Sequence, residues 1–409
     1  MFVLKIVPFS PPDISESEIE EVVKVLRSGW ITTGPETKKF EHDISEYIGV
    51  DNVVCLSSAT AAMEFTLRIL GIGPGDEVIT TAYTYTASAS VINHVGAKIV
   101  LIDVATESFE MDYDKIADAI TEHTKAIIPV DIAGRLCDYG KIFEAVKEKQ
   151  SLFRASNSIQ KTIGRIAVIS DSAHGFGSSR NGIMSGNYAD FTCFSFHAVK
   201  NLTTAEGGAV VWNHKDGIDD DELYHDYMLY SLHGQNKDAL KKNTAGSWEY
   251  DILHLGYKNN MTDIQAAIGV KQLERYDSML KIRRKLVERY DSVFKPLGAK
   301  LISHFDDECT SNGHLYLARF PITLEQRNEI INICAERGIG LNVHYKPLPM
   351  MTAYKNLGFD IGDYPNAYNQ YKNEITFPLY SRLSDEDQQY VIDVFTEVYE
   401  QVVQNNSKK

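Results

Sequence analysis

Lys200 closes the run Asp190-Phe-Thr-Cys-Phe-Ser195-Phe-His197-Ala-Val-Lys200. Asn201-Leu-Thr-Thr-Ala-Glu206-Gly207-Gly208 follows, and then a second apolar run to Trp212. A lysine held between two buried strands loses hydration, and desolvation favours the neutral amine. A neutral amine is a nucleophile that can condense with an aldehyde. The pattern therefore suggests a Schiff-base lysine, and pyridoxal phosphate (PLP) is the commonest biological aldehyde to hold one. The competing reading is a solvated lysine in a hairpin loop.

Three further segments carry the groups such a lysine would need. Ser170-Asp171-Ser-Ala-His174-Gly-Phe-Gly177 ends a predicted strand. A carboxylate there points into the crevice where α/β sheets take ligands, and it can keep a pyridine nitrogen protonated. A helix cap or turn aspartate is the alternative for Asp171. Leu56-Ser57-Ser58-Ala59-Thr60-Ala61-Ala62 joins a strand to a helix through small residues. Its bare N–H groups and hydroxyls suit a phosphate at the positive end of a helix, or equally ordinary capping by Thr60. Thr84-Tyr85-Thr86 could lay an aromatic face on a ring, or bury Tyr85 in a core.

The elements that must position these groups alternate. Strands are predicted over 53–57, 77–80, 98–103, 125–131, 165–171, 191–196 and 209–212, with helices over 60–70, 84–94 and 138–148. Alternation of this kind specifies an α/β fold with a mostly parallel central sheet. Apolar residues at helical spacing (Ile264, Ala267, Ile268, Leu273, Met279) predict one long helix over 261–290. The remainder reads as a smaller α+β domain. The expected division is a large domain over 1–260 and a small C-terminal domain over 261–409. The tail, 404–409, reads as disordered.

Composition narrows the class. The 409 residues are 44% hydrophobic and 24% charged, as in ordinary soluble proteins. A net charge of −15 without a dense Lys/Arg cluster argues against nucleic acid and against an anionic membrane surface. Five cysteines without metal-binding spacing fit a reduced, cytoplasmic protein with no metal centre. The N-terminal apolar patch is too short for a signal peptide, and no run is long enough to span a bilayer.

In order and spacing these motifs resemble those of the DegT/StrS-type sugar-nucleotide aminotransferases, a branch of the fold-type I PLP enzymes. Further markers are Ser28-Gly-Trp-Ile-Thr-Thr33-Gly-Pro35, Gly75-Asp-Glu-Val-Ile-Thr80, Ala205-Glu-Gly-Gly208 and Gly256-Tyr-Lys258-Asn-Asn260-Met-Thr-Asp. The resemblance runs nearly the whole length, most closely to the branch forming UDP-4-amino-4-deoxy-L-arabinose. It implies that Lys200 binds PLP covalently and then moves a proton between cofactor and sugar. Asp171 would pair with the pyridine nitrogen, and Tyr85 would stack on the ring where the arabinose branch has tryptophan. Ala59, Thr60 and Ser195 would hold the phosphate, and His174 would lie near the ring's phenolic oxygen or the substrate. Lys258 and Asn260 belong to a loop that would reach the neighbouring subunit's phosphate, which implies a homodimer with shared sites. His344 and Thr33 would meet substrate.

The implied reaction takes an amino group from L-glutamate and gives it, in ping-pong fashion, to a keto group, C4 first, of a nucleotide-linked deoxysugar. A 3-keto sugar, a cyclitol ketone, a PLP lyase reaction or a non-catalytic regulatory role are the alternatives. A side branch that replaces the lysine by histidine and dehydrates is excluded by Lys200 itself. Residues 150–164 look inserted relative to the family and read as a surface loop or a partner contact.

Overall fold

A computed structural model describes residues 4–236 and 249–406. Seven strands form the central sheet: β1 (Asn52–Leu56), β2 (Glu77–Thr81), β3 (Lys98–Ile102), β4 (Thr124–Ile128), β5 (Ala167–Asp171), β6 (Phe191–Ser195) and β7 (Gly208–Trp212). Their order is β1-β7-β6-β5-β4-β2-β3. β7 runs antiparallel to both its neighbours, and the other pairings are parallel. Helices cover both faces, so β2, β4, β5 and β7 are buried at every position. Of these only β7 is apolar throughout; β2, β4 and β5 bury Glu77, Thr80, Thr81, Thr124, Lys125, Ser170 and Asp171 among their apolar residues. Helices α1 (Glu16–Ser28), α2 (Pro35–Ile48), α3 (Ala59–Ile69), α4 (Ala87–His94) and α5 (Tyr139–Glu148) belong to this half. On one face Phe65, Leu67 and Ile92 pack with Val78 and Ile128, and on the other Ile142 and Val146 pack with Ile79, Ile127 and Val168.

The expected strands all form, six of them within two residues at each end, and the one expected over 125–131 ends three residues early at Ile128. Residues 84–86 stay outside the helix that begins at Ala87, which leaves Tyr85 on a loop. Residues 150–164 lie mostly at the surface and hold a short helix, α6 (Ser158–Ile163). Asn157 Nδ2 donates to the Ile69 carbonyl (3.0 Å), and the buried Gln160 donates to the Leu70 carbonyl (2.6 Å). The segment thus satisfies carbonyls that the end of α3 would otherwise leave unpaired.

The single long helix expected over 261–290 is two helices. Beyond α7 (Asp220–Ser231) come α8 (Asp263–Glu274) and α9 (Tyr276–Phe294), which meet at Arg275. Arg275 leaves helical geometry at φ −114°, ψ 5°, and its guanidinium pairs with Glu18 (2.7 Å) and Asp13 (3.2 Å). The apolar faces of the two helices need different partners. Ala266 and Val270 of α8 pack with Phe40 and Ile44 of α2, whereas Tyr290 and Phe294 of α9 enter a separate core.

That second core lies under a three-stranded antiparallel sheet, β8 (Lys300–Leu301), β9 (Tyr316–Arg319) and β10 (Glu374–Phe377). Phe320, Phe377 and Phe395 fill it beneath α10 (Leu324–Glu336) and α11 (Asp385–Asn406). The predicted disordered tail is helical as far as Asn406, and residues 407–409 lie outside the described residues. Among the described residues no helix is long and apolar enough to cross a membrane.

Candidate active site

A cavity of about 380 Å³ opens at the carboxyl ends of β1, β2 and β5, where parallel sheets take their ligands. Asp171, the last residue of β5, lines it together with His174 and Lys200. Ala59 and Thr60 enter from the start of α3, Tyr85 from the loop after β2, and Ser195 from the end of β6. His344 reaches the cavity from the segment before β10. Eight of the residues expected at the site therefore converge there.

β6 and β7 are antiparallel neighbours, so the connection carrying Lys200 is a hairpin. Its lysine nevertheless turns inward. The Lys200 N–H closes a turn on the His197 carbonyl (2.9 Å), and Thr204 N–H returns to the Phe196 carbonyl (2.9 Å). Burial lowers the Lys200 amine to about 8, against a weaker opposing pull from Asp171. A large neutral fraction at physiological pH is what a nucleophilic amine requires.

Asp171 is buried, and burial raises its carboxyl pKa. Ser88 Oγ on α4 donates to Oδ2 (2.6 Å) and Ala173 N–H to Oδ1 (3.2 Å), both favouring the ion. A ring N–H⁺ presented from the cavity would complete the carboxylate's hydrogen bonding. At the opposite side, Ser58 caps α3 by accepting from Ala61 N–H (3.1 Å). The first N–H groups of a helix have no intrahelical acceptor and attract an anion. Gly208 is required here. A Cβ on it would stand 2.4 Å from Ala59 N and the Ser58 carbonyl carbon, so glycine alone lets β7 lie against the helix mouth.

His174 is buried and fixed at both ring nitrogens. Ala133 N–H donates to Nδ1 (3.2 Å), which places the proton on Nε2, facing Tyr345 Oη (3.1 Å). Ala133 holds φ +56°, a left-handed conformation uncommon for a residue with a side chain. Burial and the Lys200 charge keep His174 well below the ordinary histidine pKa, so it is a neutral donor.

Lys258, Asn260 and Thr33 do not line this chain's cavity. Asn260 Nδ2 donates to Thr33 Oγ1 (2.7 Å), Thr33 Oγ1 donates to the Met261 carbonyl (2.5 Å), and Lys258 Nζ bonds Asn260 Oδ1. Burial lowers the Lys258 amine. Sequence reasoning passed over Ser88, whose neighbours Ala87-Ser-Ala-Ser90 give no local sign of a role, and Thr376 and Glu374, which lie behind His344.

A buried carboxylate, a lysine with a lowered pKa and a helix N-terminus around one cavity on this sheet define a fold-type I PLP-dependent enzyme. The family model for DegT/DnrJ/EryC1/StrS aminotransferases matches residues 12–396, and the chain belongs to that family. Spr1654 of Streptococcus pneumoniae, assigned as a sugar aminotransferase and solved in a PMP form, is 55% identical with a TM-score of 0.94. That match covers 97% of this chain and 100% of Spr1654, which is also solved in a PLP form. The spore coat polysaccharide biosynthesis protein SpsC of Bacillus subtilis is 36% identical over 396 residues, 96% of each chain. MJ1066 of Methanocaldococcus jannaschii is 38% identical over 402 residues, 97% of this chain and 98% of its own. The chain is an aminotransferase, and its cofactor is PLP.

Proposed function

We propose that the chain transfers the amino group of L-glutamate to a keto group, at C4, of a nucleotide-linked deoxysugar, within a cytoplasmic route to surface polysaccharide. The observation that carries this is the pairing of Lys200, amine pKa about 8, with the buried Asp171 in a single cavity. PLP supplies an electron sink that stabilises charge developing on the substrate carbon. Lys200 holds it and, once released, carries the proton on and off that carbon in both half-reactions. Asp171 would pair with the ring nitrogen and Tyr85 would cover one face, while His174 would lie near the phenolic oxygen or the substrate. Ala59, Thr60 and Ser195 hold the phosphate. Spr1654 and SpsC support the sugar reading by their assignments in sugar and polysaccharide chemistry.

Lys258 and Asn260 act in the site of a second copy, so the working unit is a homodimer. His344 and Thr33 serve the substrate, Thr33 by holding Asn260 in place.

The test is the absorbance of the PLP-loaded protein before and after L-glutamate. Loss of the visible band with growth of the near-ultraviolet band, in wild type and not in Lys200→Ala, supports the reading. An unchanged band rejects glutamate as donor. A panel of 4-keto and 3-keto nucleotide sugars, read by return of the visible band, then identifies the acceptor. Mixing inactive Lys200→Ala with an inactive Asn260 variant tests the shared site, because recovered activity requires residues from two chains.

A further inference from the structure

His344 stands at the head of a hydrogen-bonded chain that runs away from the cavity into the small sheet. Its ring Nδ1 meets Thr376 Oγ1 (3.0 Å), and Thr376 Oγ1 meets Glu374 Oε1 (2.5 Å). The other carboxyl oxygen, Oε2, accepts the His344 backbone N–H (2.9 Å). Thr376 and Glu374 sit two apart on β10, so both project from the same face of the strand. Both are fully buried, each at 0% exposure. With Nδ1 committed to Thr376 and Phe9 stacked on the ring (5.4 Å between centroids), Nε2 is the nitrogen left to the cavity.

We propose that Glu374, acting through Thr376, is a positioning residue that decides whether His344 offers substrate a hydrogen-bond donor or an acceptor. This rests on the reading of His344 as substrate-facing. A threonine hydroxyl has one proton to give and lone pairs to receive, so the chain has two self-consistent states. With Glu374 neutral, its O–H donates to Thr376 Oγ1, Thr376 donates to Nδ1, and the imidazole carries its proton on Nε2. With Glu374 ionised every bond reverses: Nδ1–H donates to Thr376, Thr376 donates to the carboxylate, and Nε2 becomes an acceptor.

The states differ by one proton. When Nε2 gives up its proton to a substrate oxygen, Thr376 passes its own to Nδ1 and receives the one held by Glu374. The imidazole stays neutral and the carboxylate appears at the far end. The ligand such a device suits is one whose facing oxygen alternates between acceptor and hydroxyl, as a sugar carbonyl and its neighbouring hydroxyls do.

The electrostatics fit. Burial holds His344 down to about 4, so imidazolium is excluded across the working range, and burial lifts Glu374 to about 8. The charged and titratable groups around the chain include His174 and His314, both buried, and a charge on His344 disfavours a charge on either. Arg327 of α10 stabilises the carboxylate, and Lys200 opposes a charge on His344. Tyr83 donates to the His344 carbonyl (2.7 Å), and the Tyr345 phenol is held un-ionised by burial, with Glu374 a lesser contributor. Arg319, beside Glu374 on β9, is turned to Asn373 (3.1 Å) and Glu107 (3.4 Å).

The tautomer of His344 is readable by nitrogen-15 NMR of histidine-labelled, cofactor-free protein, with His344→Gln assigning the signal. Wild type should pass from the Nε2–H to the Nδ1–H pattern with a midpoint near 8, the value set by Glu374. Glu374→Gln should hold the Nε2–H form above about pH 4, because the His344 backbone N–H keeps the amide oxygen and turns the amide N–H₂, which can only donate, toward Thr376. Thr376→Ser should keep the transition, and Thr376→Val should uncouple it. Amino transfer should respond as well: Lys200 titrates in the same range, so Glu374→Gln should narrow the pH-rate limb near 8 to the part set by Lys200, while Thr376→Ser keeps the wild-type profile. A His344 signal that keeps one tautomer up to about pH 10 and ignores Glu374→Gln overturns the proposal. Because the tautomer is read without substrate, failure of the glutamate or sugar assignment would leave that readout intact. Failure of the relay alone would leave the cofactor spectra intact.

Discussion

Ser88 Oγ lies 2.6 Å from Asp171 Oδ2, so a serine on α4 donates to the carboxylate that closes β5 across the floor of the cavity. Two residues 83 apart in the chain thus share one proton, and the bond lowers a pKa that burial raises. Ser88→Ala leaves a buried acceptor without this donor, a loss of ~1–3 kcal/mol. Asp171 should then ionise less readily, and PLP affinity should fall about tenfold or more. A cofactor titration followed by absorbance checks this, with circular dichroism to show that the fold survives.

The Lys200 amine, ordinarily near 10.5, stands at about 8. At pH 8 half of it is neutral, against ~0.3% for an unperturbed lysine. Borohydride trapping of PLP onto Lys200, located by mass spectrometry, should rise through pH 8 and be absent in Lys200→Arg. A depressed lysine pKa means that the folded protein binds fewer protons than the unfolded chain between about 8 and 10.5. The stability of the cofactor-free protein therefore gains from this residue as pH rises through that window, and the full cost is felt below it.

Asp131 gives the opposite slope. It is buried beside Cys137 N–H (2.8 Å), Tyr139 Oη (3.0 Å) and Ser170 Oγ (3.1 Å), and burial raises it to about 6 from 3.8. A raised carboxyl holds its proton longer in the folded state, so its contribution is present below pH 3.8 and is lost as pH rises through 6. Asp131→Asn should flatten the dependence of melting temperature on pH between 4 and 6, by ~1–3 kcal/mol of unfolding free energy. Thermal melts across that range read it directly.

Gly208→Ala should abolish cofactor binding and cost ~1–3 kcal/mol of stability or more, because its Cβ would meet the backbone at the start of α3. Gly73→Ala is the control. A Cβ there meets only the Val95 carbonyl at 3.5 Å, an ordinary contact, so that variant should melt with wild type.

The sequence by itself determined the parts of this protein whose signal is local. Val53–Leu56 of β1 and Ala209–Trp212 of β7 announce themselves as apolar runs, and small residues mark where β1 passes into α3. Lys200 and Asp171 could be singled out because Asp171 ends β5 and Lys200 follows closely on β6, which ends at Ser195. The tertiary structure decided everything that depends on which strands lie side by side. The order β1-β7-β6-β5-β4-β2-β3 is what carries α4, and with it Ser88, over Asp171. The division of 261–290 at Arg275 follows from Asp13 and Glu18, some 260 residues away, and from two separate cores competing for one amphipathic run. Helix α6 found its role only against the end of α3. Thr376 and Glu374 came to lie behind His344 because β10 pairs beside the segment that carries it. Hydrogen bonds of this kind join groups that chain spacing cannot relate, since a folded core fixes distance by packing and strand register.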